Sequence, residues 1–214
     1  MSKNRRPSRR TVLIGSAVVA AVAATGKAGA QAPAVKLLKP TPEQVEGPYF
    51  LDNSPLNDTL IEPGDTGQVI KISGRVLGVD GAPINQSTVH IWLADSHGHY
   101  DNDDGNGGAH PIPLADQHLR GRVVTNFTGE YSFTAIRPGN YPLGNGMMRP
   151  AHIHVRIEAK GYKRLITQLY FTDDPFNTKD LPGDGFFKPE LLVPLQAAVG
   201  GVQEGKFDFV IVRK

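Results

Sequence analysis

Arg149-Pro150-Ala151-His152-Ile153-His154-Val155-Arg156-Ile157 alternates apolar and polar residues at every step after the proline. Successive side chains of a strand point to opposite faces. Ala151, Ile153, Val155 and Ile157 therefore share one face, and His152, His154 and Arg156 share the other. Such a segment is a strand with one face in a core. Working outward, further strands are expected at 69–77, 88–94, 120–125, 130–136, 164–171 and 206–212, with the quoted segment occupying 151–158. Asp80-Gly81-Ala82-Pro83, Thr128-Gly129 and Pro138-Gly139-Asn140 supply turns between them. The chain has 24 Gly and 17 Pro and no long amphipathic helical period. The expected fold is all-β: a sandwich over 67–214, preceded by an extended N-terminal arm over 31–66. Loops at 101–119 and 173–200 are long enough to cover a site, and a short helix is expected near 189–198.

Residues 1–30 read differently. A basic start, MSKNRRPSRR, precedes the apolar TVLIGSAVVAAVAA and the small residues Ala28-Gly29-Ala30. That is the order of a cleaved secretory signal, and the apolar stretch is short for a membrane span. Arg9-Arg10 before it has the form of a twin-arginine signal, which exports folded proteins. Periplasmic or secreted localisation is expected, with no membrane association after cleavage. Six of the 23 basic residues and none of the 21 acids lie in this segment, which leaves residues 31–214 at a net charge of −4. No basic stripe remains for nucleic acid. The chain has no cysteine, which excludes thiolate chemistry, iron–sulfur clusters and cysteine-ligated zinc.

His152 and His154 on one strand face can bind one metal, although a half-buried strand also places polar residues on its wet face for no chemical reason. Two tyrosines change the balance. Tyr141 follows a Pro-Gly turn shortly before the histidine pair. Tyr100 ends Trp92-Leu93-Ala94-Asp95-Ser96-His97-Gly98-His99-Tyr100, just after a strand. A phenol with a pKa of about 10 is a poor ligand unless a highly charged cation stabilises its anion. Hard anionic oxygen favours a ferric ion over softer metals. The other histidines, His90, His97, His99, His110 and His118, are expected to be solvated.

These residues together resemble the intradiol ring-cleavage dioxygenases, most closely the protocatechuate 3,4-dioxygenase subunits. The resemblance is carried by Trp92 to Tyr100, by Gly139-Asn140-Tyr141-Pro142, and by Arg149-Pro150-Ala151-His152-Ile153-His154. Glu46-Gly47-Pro48-Tyr49-Phe50, Gly129 to Phe133, Thr167-Gln168-Leu169-Tyr170-Phe171 and Asp174 to Asp180 extend it over roughly 41–213. It implies a prealbumin-like sandwich and a non-haem Fe(III) held by Tyr100, Tyr141, His152 and His154. It implies that Tyr141 leaves the metal and takes a proton when substrate binds, that Arg149 stabilises charge on the ring, and that Gln168 packs near it. Catechol-type rings and O2 are the implied partners, with cleavage between the hydroxylated carbons to muconate-type dicarboxylic acids. An oligomer is compatible with it. Leu143, where tryptophan is common in the family, and the compact Gly/Met-rich loop from Tyr141 to His152 depart from the pattern and bear on substrate identity, and Asn126 stands in place of a frequent Asp.

A rival reading is a non-catalytic exported prealbumin-like binding module. Ser73-Gly74-Arg75-Val76 and the Asp80-Gly81-Ala82-Pro83 turn fit that class equally well. Such a module has no reason to gather two tyrosines with the His-x-His strand. Zinc or copper chemistry is a second rival, separable by the colour of the protein.

Overall fold

The structure, a computed structural model, describes residues 37–177 and 187–214. The signal-like segment 1–30 and part of the 173–200 loop lie outside the described residues. The described strands are β1 (Val69–Gly78), β2 (Thr88–Leu93), β3 (Arg120–Val124), β4 (Glu130–Ile136), β5 (Tyr141–Gly144), β6 (Met147–Arg149), β7 (His152–Glu158), β8 (Leu165–Phe171), β9 (Leu192–Val193), β10 (Val202–Lys206) and β11 (Phe209–Ile211). No α-helix occurs among the described residues, so the fold is all-β as expected.

One sheet is built on β1. β4 runs antiparallel along one edge of β1, and β10 and β11 run parallel along the other. The second sheet has the order β3-β2-β7-β8-β9. Their apolar faces meet. Ile70, Ile72 and Phe133 of the first sheet and Ile91, Ile153, Val155 and Leu169 of the second are all essentially sequestered from solvent. Each such side chain contributes about 1.5–3 kcal/mol by leaving water. The alternation in 151–157 is therefore realised as read, with its apolar residues in the common core.

Three elements differ from expectation. The single strand expected at 206–212 is two strands, broken at Phe207-Asp208. There the Phe207 carbonyl presses on β1 at Gly74, where a Cβ would lie only 1.8 Å from that oxygen. The Tyr131 hydroxyl and the Arg75 amide bind the break, donating to Phe207 O and Asp208 Oδ1, each at 2.8 Å. The helix expected near 189–198 is a single 3-10 turn, Pro189–Leu191, followed by β9 pairing with β8. Pro194 removes an amide that a continuing helix would need. The Gly-rich stretch after Tyr141 is a small hairpin, β5–β6, outside both main sheets.

The arm has no regular strand between residues 37 and 66 but is tied to both sheets. Thr41 N donates to Val210 O, Gln44 N to Ile166 O and Leu60 N to Thr134 O. This route carries residues 44–50 across the polar face of the five-stranded sheet.

Candidate metal centre

On β7 the two imidazoles project from the face turned away from the core, with Nε2 atoms 3.1 Å apart. The Nδ1 of His152 lies 2.8 Å from Pro150 O. A carbonyl only accepts, so Nδ1 carries the proton and the Nε2 lone pair faces its neighbour. The Tyr100 hydroxyl lies 3.3 Å from His152 Nε2. Tyr141 completes the group: its ring centroid is 6.3 Å from that of Tyr100 and 5.8 Å from that of His152, and the Tyr100 and Arg149 side chains act on its hydroxyl. Two donors each about 2.1 Å from one metal, at right angles, would be roughly 3 Å apart. The His152–His154 and Tyr100–His152 separations match that spacing. All four residues expected as ligands are brought together. Among the described residues no group of three or more His, Cys, Asp or Glu could hold a metal, so this set depends on its phenols.

Local chemistry explains how Tyr100 arrives there. After β2 the chain folds around Asp95, whose Oδ1 accepts from the amides of His97 and His99 at 2.8 and 2.9 Å. Gly98 adopts a φ of 90°, and a Cβ there would lie 2.7 Å from Asn140 O. Only glycine fits both conditions. His97 and His99 flank Tyr100 but their side chains are exposed, and His110 is exposed as well. His118 is partly covered and bonds Asp65 at 3.0 Å. His90 departs from expectation: it is buried, because it shares the polar face of β2 with Trp92 and the arm's Phe50 packs edge-on against it.

Burial sets the protonation of the centre. It pushes His152 down to about 3, with the Arg149 charge adding to the effect, and pushes His154 well below its ordinary value. It pushes the phenols of Tyr100 and Tyr141 up. The imidazoles are thus neutral and ready to ligate, while the phenols ionise only if a cation compensates the buried charge. Two neutral imidazoles and two phenols make a donor set that fits a hard, highly charged ion such as Fe(III). His154 has no hydrogen-bond partner for Nδ1 among the described residues.

Arg149 and Gln168 lie behind this group. Arg149 is buried and donates to Gln168 Oε1 and, at 3.3 Å, to the Tyr170 hydroxyl. Gln168 is fully buried, and its Nε2 donates to Val45 O of the arm at 2.8 Å. Its contacts orient Arg149 and fasten the arm. Sequence reasoning assigned no role to Tyr170, which donates to Gln168 Oε1 at 2.8 Å. The signal was present in the Gln168-Leu169-Tyr170 alternation, which puts both polar groups on the face of His152 and His154. Asp174 was also unassigned. Its Oδ2 accepts from Asn140 Nδ2 and the Ala151 amide, at 2.8 and 2.7 Å, pinning the hairpin to β7.

The covering segments are partly those expected. Residues 101–103 of the 101–119 loop border the centre, but the arm also covers it: Tyr49 stacks on Tyr100 with ring centroids 4.1 Å apart, and Phe50 packs against Trp92.

Comparison with known proteins agrees with this arrangement. A family profile described as "Dioxygenase" matches residues 45–212. Chlorocatechol 1,2-dioxygenase of Rhodococcus opacus is 35% identical over 178 residues, covering 72% of this chain and 65% of that protein. The protocatechuate 3,4-dioxygenase beta chain of Burkholderia cepacia is 37% identical over 118 residues, covering 53% and 49%. The chain thus spans about half to two thirds of the length of these curated relatives. Among solved structures, the dioxygenase domain of a dioxygenase carbohydrate-binding protein fusion from Streptomyces sp. SirexAA-E superimposes with a TM-score of 0.66 at 36% identity, covering 82% of this chain and all of that one. The 3-chlorocatechol 1,2-dioxygenase of Rhodococcus opacus 1CP gives 0.70 at 26%, covering 81% and 73%. Catechol-type and protocatechuate-type relatives both match, and with the profile running from the arm to the last strand, this chain belongs to the intradiol ring-cleavage dioxygenase family.

Proposed function

We propose that this protein is a non-haem ferric dioxygenase that cleaves catechol-type rings between their two hydroxylated carbons, consuming O2 and releasing muconate-type dicarboxylic acids. The observation that carries the reading is the gathering of the Tyr100 and Tyr141 rings with the Nε2 atoms of His152 and His154 in one largely buried cluster. When bound, Fe(III) supplies Lewis-acid activation and a template for the diol.

The chain's own residues supply the rest. A catechol binding as a dianion must release two protons, one to the protein and one to bulk solvent. Tyr141 is the acceptor for one of them at its phenolate oxygen, since it sits on a hairpin outside the main sheets and its ionised form is disfavoured by burial. The Arg149 guanidinium, beside the Tyr141 hydroxyl, stabilises negative charge on the ring, and Gln168 and Tyr170 hold it in place. Trp92 and Phe50 keep water from the imidazole side. Asp103 lies close enough to Tyr49 and Tyr141 to raise both phenols, so a carboxylate borders the phenolic groups. That charge favours catechols without an anionic substituent over a ring bearing a carboxylate.

The test is purification with iron. The expected protein is red-brown from phenolate-to-ferric charge transfer and consumes one O2 per catechol with formation of a muconate. A colourless protein that fills with zinc and consumes no O2 defeats the reading. We also propose export through the Arg9-Arg10 signal, after the protein folds and takes up iron in the cytoplasm. Replacing both arginines with lysine is expected to leave iron-loaded precursor inside the cell, and normal export of that variant would sink the twin-arginine route.

A further inference from the structure

We propose that Arg120 is the positioning residue of the centre, locking Tyr100 in place by holding the chain on both sides of its ring; the metal-related part of this claim rests on the ferric reading above. Arg120 opens β3 on the polar face of the sheet, directly opposite Trp92. Its side chain and that of Asp101 are 1% and 7% exposed. Among the described residues, each hydrogen bond of the guanidinium goes to a residue just after Tyr100 or to the arm that covers it. Nε donates to Asp101 Oδ2 at 2.8 Å, and Nη2 donates to the other Asp101 oxygen. Nη2 also donates to Asn102 Oδ1 at 3.0 Å, and Nη1 to the Tyr49 carbonyl at 2.8 Å.

Asp101 and Asn102 follow Tyr100 directly in the chain. Tyr49 lies nearly parallel to the Tyr100 ring, with planes within 13°. One buried cation therefore fixes the backbone leaving Tyr100 and the ring stacked on its face. A buried ion pair adds little stability over an apolar pair of the same shape, so the contribution of this hub is geometric. The planar fork of arginine serves four acceptor oxygens on three residues at fixed angles, which a lysine ammonium cannot reproduce. Tyr141 is held differently, on a hairpin pinned through Asn140 and Asp174. The hub thus makes one phenol rigid and leaves the other on a more yielding element.

The test uses Arg120→Lys, Asp101→Asn and the charge-free pair Arg120→Met with Asp101→Leu, with Lys39→Ala as a surface control. Three readings are taken: near-UV circular dichroism of the metal-free protein, ferric affinity by chelator competition, and the phenolate-to-ferric absorption band. In folded Arg120→Lys and the charge-free pair, the near-UV tyrosine signal is expected to weaken, ferric affinity to fall at least tenfold, and the band to lose intensity or shift. Wild-type affinity and band in those variants would overturn the proposal. So would metal loss that appears only together with loss of the far-UV strand spectrum, since the role would then be structural. A wild-type protein with no ferric band defeats the ferric reading instead, and the near-UV signal of the metal-free variants still reports whether Arg120 orders Tyr49 against Tyr100.

Discussion

Trp92 lies flat against His154, with ring centroids 4.8 Å apart and planes within 9° of parallel. His152 is oriented by a hydrogen bond to Pro150 O, whereas Nδ1 of His154 has no such partner among the described residues. Under the ferric reading, stacking on Trp92 takes the place of the outer hydrogen bond that usually orients a ligating histidine. Trp92→Leu is expected to destabilise the fold by about 2–4 kcal/mol, as large-to-small changes in buried aromatics do. It should also weaken metal retention by about tenfold, the low end for lost outer-shell support. Trp92→Phe keeps a flat ring and should recover most of the retention. Chelator competition on both variants decides the point, and equal retention in the leucine and phenylalanine forms would remove the stacking argument.

The two phenols should respond differently to loss of their hydroxyls. Tyr100 is 6% exposed and sits within the two-sided support of Arg120 and Tyr49. Tyr141 is partly exposed on the β5–β6 hairpin. Tyr100→Phe is expected to cost the larger share of ferric affinity. Tyr141→Phe should retain metal better yet lose turnover by about 10²–10⁴-fold, the usual cost of a missing proton acceptor. Comparing ferric titrations with kcat for the two variants checks this. A Tyr141→Phe enzyme with undiminished kcat would show that its oxygen takes no proton in the slow step.

Much of this centre was legible because strand alternation is a local property. The period in 151–157 placed both histidines on one face and Ile153 and Val155 in the core, and the structure keeps that division. The break at Phe207-Asp208 was not legible, since it depends on a residue on another strand, Gly74, leaving room for a carbonyl. The arm was seen as extended, but nothing local says that Tyr49 stacks on Tyr100 or that Val45 is held by Gln168. For the same reason His90 looked solvated: its cover, Phe50, comes from forty residues earlier in the chain. Arg120 and Asp101 likewise look like ordinary charges until the fold brings them together.

The metal-free protein should lose stability as pH falls from neutrality. His152 has a folded pKa near 3 against 6.5 when unfolded, because burial disfavours its cation. Between those values the unfolded chain binds a proton that the folded chain does not, so stability rises with pH across the window and is lost as pH drops through it. One such group gives a slope of about 1.4 kcal/mol per pH unit. His154 is shifted in the same direction and adds to it. Urea unfolding of the metal-free protein from pH 6.5 to 5 should show this slope, and His152→Asn should flatten it. The measured range, pH 6.5 to 5, lies above the ordinary carboxylate values, and Asp173 and Glu130 are held below theirs in the folded state. A slope unchanged by His152→Asn would mean that other groups set the pH dependence.

Substrate charge provides the last prediction. Asp103 lies at the edge of the centre, three residues after Tyr100, with its amide 3.3 Å from Tyr100 O and its carboxylate near enough to raise the Tyr49 phenol. Asp104 beside it is ionised, held below the ordinary carboxylate value by the backbone amides of Asn106 and Gly108. Both carboxylates raise the cost of a further anion near Tyr49. A carboxylate on the ring would have to approach this acidic edge or turn away from it, whereas catechol and its chloro-substituted forms carry no such charge. Wild-type kcat/KM is therefore expected to favour catechol over protocatechuate, and Asp103→Asn should narrow the ratio by about five- to tenfold, as removal of one like charge near the protein surface is worth roughly 1 kcal/mol. The discrimination should also weaken as ionic strength rises, because this edge is solvent-accessible and screened by salt. A ratio insensitive to both the substitution and salt would show that shape, set by Leu143 and the β5–β6 hairpin, selects the ring instead.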